Sequence, residues 1–250
     1  MADERGSVRL ATAGLAVLIG GGLGAFGLTS PAGAAAQTVR PAMVTTVVTK
    51  AAAACATGKY QKAVEGYLKK LGGFGTVKVD GKRSAADCAA IKKFQSRYGI
   101  KPAAGLAGPT TNGVAKRLAA TKTSACKPKK TGIVFCVDLT HQTIWSVKNG
   151  KVLTKPTVTR TGMNGYRTPA GSYKINKRAK KEWSNPYKVW LPYWQHFTQG
   201  MGFHETTTYL HNMGNGSHGC VNLLKPDAKE LWNLLGYSTT VHTFGRRPGT

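Results

Sequence analysis

The apolar positions of this chain change their period along its length, and each change marks a boundary. From Leu10 to Leu28 they form an uncharged run of Ala, Leu and Gly, followed by Ser30-Pro31-Ala32-Gly33-Ala34. Tyr60, Val64, Tyr67, Leu68 and Leu71 then recur at three- and four-residue steps, the spacing of one helical face, and Gly72-Gly73 closes the segment. After the Asp80-Gly81 turn a second helix is predicted. Ser84 precedes it and Asp87 lies three residues on, a weaker relative of the capping box, while Cys88, Ile91, Phe94 and Tyr98 mark its apolar face and Gly99 stops it. A third short segment opens at Pro109-Thr110 and presents Val114 and Leu118. Residues 59–120 therefore read as a compact unit of about three helices.

From Ile133 the texture becomes β-like. Ile133 to Leu139 reads as a first strand and Thr143 to Val147 as a second. Asn149-Gly150 is a hairpin signal, with Lys151-Val152-Leu153 pairing back. Thr157-Val158-Thr159 and Gly171 to Ile175 fit further strands, and Pro226 to Leu235, apolar at Ala228, Leu231, Trp232 and Leu235, is the one convincing helix of this half. Such spacing predicts a mainly antiparallel β domain over 133–245, not a parallel α/β sheet. Trp183, Tyr187, Trp190, Tyr193, Trp194 and Phe197 form an aromatic-dense stretch. Most are expected in the core, with one or two flanking a groove, because flat rings stack on sugars and peptide surfaces. The fold class is thus multidomain: a small all-α domain, a basic linker over 121–132, and a mainly-β domain.

The first apolar run belongs to neither core. Residues 1–36 read as an export signal, cleaved after Ala34 or Ala36, although Asp3 and Glu4 offset Arg5 and Arg9 ahead of it. A retained membrane anchor is the alternative, since the run approaches the ~20 apolar residues that span a bilayer. Residues 37–58, rich in Thr, Val and Ala, read as a tether. Ala51 to Cys55 has the look of a lipoprotein cleavage box but lies far beyond the apolar run.

Export changes how the five cysteines are read, because an oxidising compartment lets four of them pair and leaves one over. The simplest pairing keeps to the domain boundary, Cys55 with Cys88 and Cys126 with Cys136, although the sequence alone does not prove that connectivity. Cys220 is the remainder.

Against 36 basic residues the chain has 10 acidic ones, a formal net charge of +26. Runs such as Lys127-Pro128-Lys129-Lys130 and Lys177-Arg178-Ala179-Lys180-Lys181 are commonly solvated surface, and their functional reading is contact with anionic wall polymers. Zinc-finger spacing, aromatic RNA-recognition patterns and a helix-turn-helix are all missing from the sequence, so nucleic acid is not expected as a partner.

Cys220 lies in Ser217-His218-Gly219-Cys220-Val221-Asn222, sixteen positions after His204. A thiol becomes a nucleophile when an imidazole takes its proton and a polarised turn stabilises the charge, which makes His204 and His218 the candidate bases. Gly219 allows close backbone approach, so that the N–H groups of Gly219 and Cys220 face a developing oxyanion, and Ser217 or Asn222 braces the turn. A buried structural cysteine with satisfied histidines is the plain alternative. His204, His211 and His218 recur every seven residues, but a His-Glu-x-x-His metal helix would need histidine at Thr208, so no catalytic metal is expected. Papain-like hydrolases place cysteine before histidine; here the order is reversed. Arg160 and Tyr166 are candidate groove residues with a solvated turn as the commoner reading, and His141, His196, His211 and His242 are assigned no chemistry.

Two resemblances follow from these residues. Asp80-Gly81, Phe94-Gln95, Gly99-Ile100 and Gly108-Pro109-Thr110 make residues 59–120 similar to the three-helix peptidoglycan-binding domain, with Ala104-Gly105 where that family repeats Asp-Gly. Phe94, Gln95 and Tyr98 are read as scaffold rather than ligand contacts. Met201-Gly202-Phe203-His204, the Ser217 to Asn222 hexapeptide and the Thr168-Pro169-Ala170-Gly171 turn resemble the L,D-transpeptidase catalytic domain over 133–243. That likeness implies Cys220 as nucleophile, His204 as general base and His218 as support for the loop or oxyanion site. It also implies an extracytoplasmic enzyme acting on peptidoglycan stem peptides and glycan, with no metal or organic cofactor; Tyr166, Trp194 and Phe203 are read from the residues themselves as candidate substrate contacts. Membrane contact is expected only through an uncleaved amino-terminal segment. Glu205 departs from the family pattern, where a small residue often follows the histidine. An L,D-carboxypeptidase using water as acceptor is the nearest alternative; a non-catalytic wall- or polyanion-binding protein is the other.

Overall fold

The computed structural model describes residues 55–126, 131–206, 210–234 and 236–250, all within one compact unit, Thr49–Thr250. The export or anchor segment, most of the tether, Lys127 to Lys130, Thr208 and Leu235 lie outside the described residues.

Three helices come first: α1 (Gln61–Leu71), α2 (Ala85–Arg97) and α3 (Pro109–Ala120). Ser84 caps α2, its Oγ accepting from the Asp87 N–H at 3.0 Å, and Gly99 leaves the helix at φ +65°. Val64, Leu68, Ile91, Phe94, Val114 and Leu118 form the core of this layer, as their spacing requires. Gln95 is buried as scaffold: its Nε2 donates to Leu106 O and Thr111 Oγ1, both at 2.9 Å, and its Oε1 accepts from the Gly105 N–H at 2.8 Å. Gly105, at φ +80°, lies against the Cys55–Cys88 disulfide; a Cβ there would meet Cys88 Sγ at 2.7 Å.

The strands are β1 (Ile133–Asp138), β2 (Thr143–Lys148), β3 (Lys151–Arg160), β4 (Gly171–Lys174), β5 (Lys177–Ser184), β6 (Val189–Thr198), β7 (Met201–Glu205), β8 (Val221–Leu223) and β9 (Thr240–Phe244), with α4 (Lys225–Leu234) between the last two. They form a single sheet in the order β4-β9-β1-β2-β3-β8-β7-β6-β5. It is mainly antiparallel, with parallel pairs at β1/β9 and β7/β8. The two strands expected at Lys151 and Thr157 are one. A register shift in the β2/β3 ladder falls opposite Thr154 to Thr157 and absorbs Pro156, which has no N–H to give.

Alternation splits β1 between two cores. Phe135 and Val137 face one that also holds Phe197, Phe203, Val221 and Val241, while Val134 and Cys136 face Trp145 and Val147. Phe135 and Phe203 approach to 6.0 Å between ring centroids although β1 and β7 are four places apart in the sheet, so the sheet curls over its own core. Cys136 is bonded to Cys126, which ties the described part of the expected linker to the sheet.

The helices are not a detached layer. Val158 of β3 and Leu210 belong to the helical core, and Arg97 Nη2 reaches the buried Asp227 of α4 at 2.7 Å. Arg117 is half-buried against the sheet with a nitrogen donating to Gln142 O at 3.1 Å, and desolvation there pulls its pKa down to about 10.

The aromatic stretch departs from expectation. Trp194 and Phe197 are core, but Trp183, Tyr187 and Trp190 are exposed, because β5, β6 and their turn form a hairpin at the edge of the sheet.

Candidate active site

Strands β7 and β8 run in parallel with His204 beside Asn222 and Phe203 beside Val221, which brings Cys220, the residue just before β8, level with Gly202. The two glycines of this corner are there for space. A Cβ on Gly202 would fall 2.6 Å from Gln195 O, and one on Gly219, at φ +112°, would fall 2.7 Å from Met201 Sδ. With both absent, the Gly202 N–H reaches the Cys220 sulfur. Burial pushes the Cys220 thiol above its ordinary pKa, and the Gly202 N–H works in the opposite direction.

Ser217 ties the turn that carries the thiol. Its hydroxyl donates to Cys220 O at 2.6 Å and accepts from the Gly219 N–H at 3.1 Å. The Gly219 N–H is therefore engaged with Ser217, which corrects the expectation that it faces a developing oxyanion. From the other side Thr168 donates to Gly219 O at 2.6 Å and accepts from the Gly162 N–H at 3.0 Å. Asn222 is held through its backbone, its carbonyl accepting from Thr159 Oγ1 at 2.7 Å.

His204 shares a cavity of about 250 Å³ with Cys220, Ser217, His218, Asn222 and Tyr187. Its Nδ1 lies 2.8 Å from Glu205 O. A carbonyl can only accept, so Nδ1 carries the proton and Nε2 keeps a lone pair. Burial lowers the His204 pKa and keeps the ring neutral, only partly opposed by that hydrogen bond. Glu205 thus acts on the imidazole through its backbone. Its side chain, next along the strand, takes the opposite face of β7.

His218 is at the rim. Its exposed ring sits between Tyr166, edge-on at 4.4 Å, and Tyr187, stacked at 4.5 Å. The Tyr187 hydroxyl is pushed up in pKa by desolvation and by nearby Cys220 and Tyr166.

Two expected substrate contacts are corrected. Phe203 is fully buried between Phe135 and Phe197, since the alternation that turns His204 to the cavity turns Phe203 to the core. Trp194 is buried beside His204, 6.2 Å between ring centroids, as a support. Tyr166 is exposed beside His218. Arg160 is no solvated turn residue: it is wholly buried, donating to Leu210 O at 2.7 Å and Gln142 Oε1 at 3.3 Å.

Among the other histidines, His141 Nδ1 pairs with Asp138 at 2.7 Å, His211 Nε2 lies 2.6 Å from Tyr98 O and His242 Nδ1 lies 3.1 Å from Ser172 Oγ. Each meets a structural partner away from Cys220.

Sequence reasoning missed Arg247. Its guanidinium donates to Thr161 O, Met213 O and Asn215 O at 2.8, 3.0 and 2.6 Å, clamping the segment that leads into Ser217. No local pattern marks it. Thr168 did carry a signal, as the first residue of the Thr-Pro-x-Gly turn.

A curled β sheet thus brings a free cysteine, a neutral histidine and a braced glycine turn into one cavity. The YkuD family, the L,D-transpeptidase catalytic domain, matches residues 132–243. A crystal structure of an L,D-transpeptidase from Stackebrandtia nassauensis is 53% identical, with a TM-score of 0.76, covering 78% of this chain and 96% of that one. An L,D-transpeptidase structure from Xylanimonas cellulosilytica is 23% identical, with a TM-score of 0.44, covering 75% and 94%. No curated protein matches the chain. The chain belongs to the L,D-transpeptidase family, and it is an enzyme of that class.

Proposed function

We propose that the protein cross-links peptidoglycan stem peptides through an acyl-enzyme on Cys220. The carrying observation is the shared cavity of Cys220 and His204, with the imidazole neutral and its Nε2 lone pair available. The thiol of Cys220 passes its proton to His204 Nε2 as sulfur attacks the carbonyl joining the diamino acid to D-Ala in a donor tetrapeptide. The Cys220 N–H supports the oxyanion. The carbon–nitrogen bond then breaks, D-Ala leaves as the amine with a proton from His204, and a thioester remains. An amine on a neighbouring stem attacks the thioester, its proton passes to His204 and then to the departing sulfur, and the new amide keeps the energy of the old one. No external energy source is required.

His218, between Tyr166 and Tyr187, borders the route to the thiol and supports the loop. The helical unit serves as a wall-binding module, and the basic surface favours anionic wall polymers. Export is supported by the disulfides Cys55–Cys88 and Cys126–Cys136, which persist in an oxidising compartment.

Incubation with disaccharide-tetrapeptide should yield a cross-linked dimer and free D-Ala. Dimer formation by Cys220→Ala would sink the nucleophile assignment. A carbapenem should leave one adduct on the wild type and none on Cys220→Ala. Free D-Ala with a trimmed tripeptide and no dimer would instead identify a carboxypeptidase.

A further inference from the structure

The β5–β6 hairpin has two faces with different surroundings. Ser184 pairs with Val189 and Glu182 with Leu191, and Ser184, Val189 and Leu191 line the Cys220 cavity. Trp183 pairs with Trp190, one step out of phase, so both indoles lie on the other face. They are 40% and 51% exposed, more than large indoles normally tolerate without a partner. Their centroids are 5.2 Å apart at 64°, an edge-to-face pair that makes a notch rather than one flat plate. Lys181 Nζ sits 4.4 Å from the Trp190 ring and covers part of it. β5 is the terminal strand of the sheet, so no further strand separates the notch from the cavity side.

We infer that Trp183 and Trp190 form a saccharide-stacking platform that holds the uncharged glycan backbone of the polymer whose stem peptide enters the Cys220 cavity. This rests on the proposed function for its substrate and adds a second binding surface. The apolar faces of pyranose rings match exposed indole faces, and an aromatic notch grips one ring from two sides. Reach is adequate. The three stem residues between the glycan and the attacked carbonyl span up to about 11 Å when extended, against a hairpin width of about 10 Å for two strands. The platform acts by positioning the strand and raising its local concentration at the site, so its effect falls on KM.

The test compares the intact protein with Trp183→Ala/Trp190→Ala and with the milder Trp190→Phe. Titration with an uncharged N-acetylglucosamine hexamer should shift the wild-type tryptophan fluorescence. The shift should survive added salt and disappear in the double variant. On uncross-linked glycan strands bearing tetrapeptides, relative to free tetrapeptide, the ratio of kcat/KM should drop about tenfold in the double variant through KM, equivalent to ~1.4 kcal/mol. Trp190→Phe should retain part of it, and a single carbapenem adduct on each variant reports a folded site. Absence of a hexamer response, an unmoved substrate ratio, a response abolished by salt, or tryptophan-dependent binding to anionic lipid vesicles in place of saccharide would each overturn the inference. Failure of the wild type to release D-Ala from any donor would defeat the proposed function instead, while the hexamer titration would still decide whether the platform binds sugar.

Discussion

The Nδ1–H of His204 donates to the backbone carbonyl of Glu205 at 2.8 Å, so the ring of the candidate base is set by the residue that follows it. With its pKa lowered from 6.5 by burial, His204 stays neutral into mildly acidic solution, while burial keeps the Cys220 thiol protonated beyond its ordinary 9.0. Acylation of Cys220 by a carbapenem in single-turnover experiments should therefore lose rate only below pH 6.5. An acidic limb above that value would contradict the assignment of His204 as base. The same shift acts on stability. Between the lowered folded pKa and 6.5 the unfolded chain binds more protons than the native one, so the melting temperature should fall as pH drops through that window.

Ser217 holds both sides of the Gly219 turn through one hydroxyl. Ser217→Ala should slow acylation about tenfold by loosening the Cys220 backbone, and Ser217→Thr should recover part of that loss. Matching melting curves for the two variants would separate positioning from stability; equal acylation rates would remove Ser217 from the turn's machinery.

The contact of Arg97 with Asp227 joins the helical layer to α4, with Thr157 Oγ1 donating to the same carboxylate at 2.8 Å. Arg97→Ala strands a buried anion and should cost ~2 kcal/mol, below the full buried-pair figure because the guanidinium is partly exposed. Denaturant unfolding at unchanged m-value reads this directly. The loss should carry over to the catalytic half, because the helices and β3 share one core.

Cys55 and Cys88 close a loop of sequence separation 33. Replacing both by Ala should remove ~3–4 kcal/mol of stability, measured against the oxidised protein. Gly105→Ala is expected to be damaging in the oxidised protein, because φ +80° and the disulfide sulfurs leave no room for a Cβ.

Much of the fold was legible locally. Val64, Leu68, Ile91 and Phe94 announce helices because a 3.6-residue period is a property of consecutive residues, and Asn149-Gly150 announces a hairpin because two residues suffice to turn the chain. The hexapeptide around Cys220 marked the thiol and Ser217 for the same reason. By contrast, β5 and β6 were hidden, since an edge hairpin with exposed indoles lacks the alternation of a half-buried strand. Phe203 and Trp194, expected at the substrate, are core, because the face each takes is set by strand alternation and by pairing across the sheet.

By itself, then, the sequence determined the helical and β halves, the odd cysteine, its histidine and the family that this order resembles. Tertiary structure decided which side chains meet. The parallel pairing of β7 with β8 sets Gly202 against Cys220, Thr168 reaches Gly219 across 51 positions and Arg247 clamps Thr161 across 86. Local periodicity does not encode such pairings. They depend on the curl of the sheet, which is fixed only when the apolar faces of strands far apart in the chain close over one core.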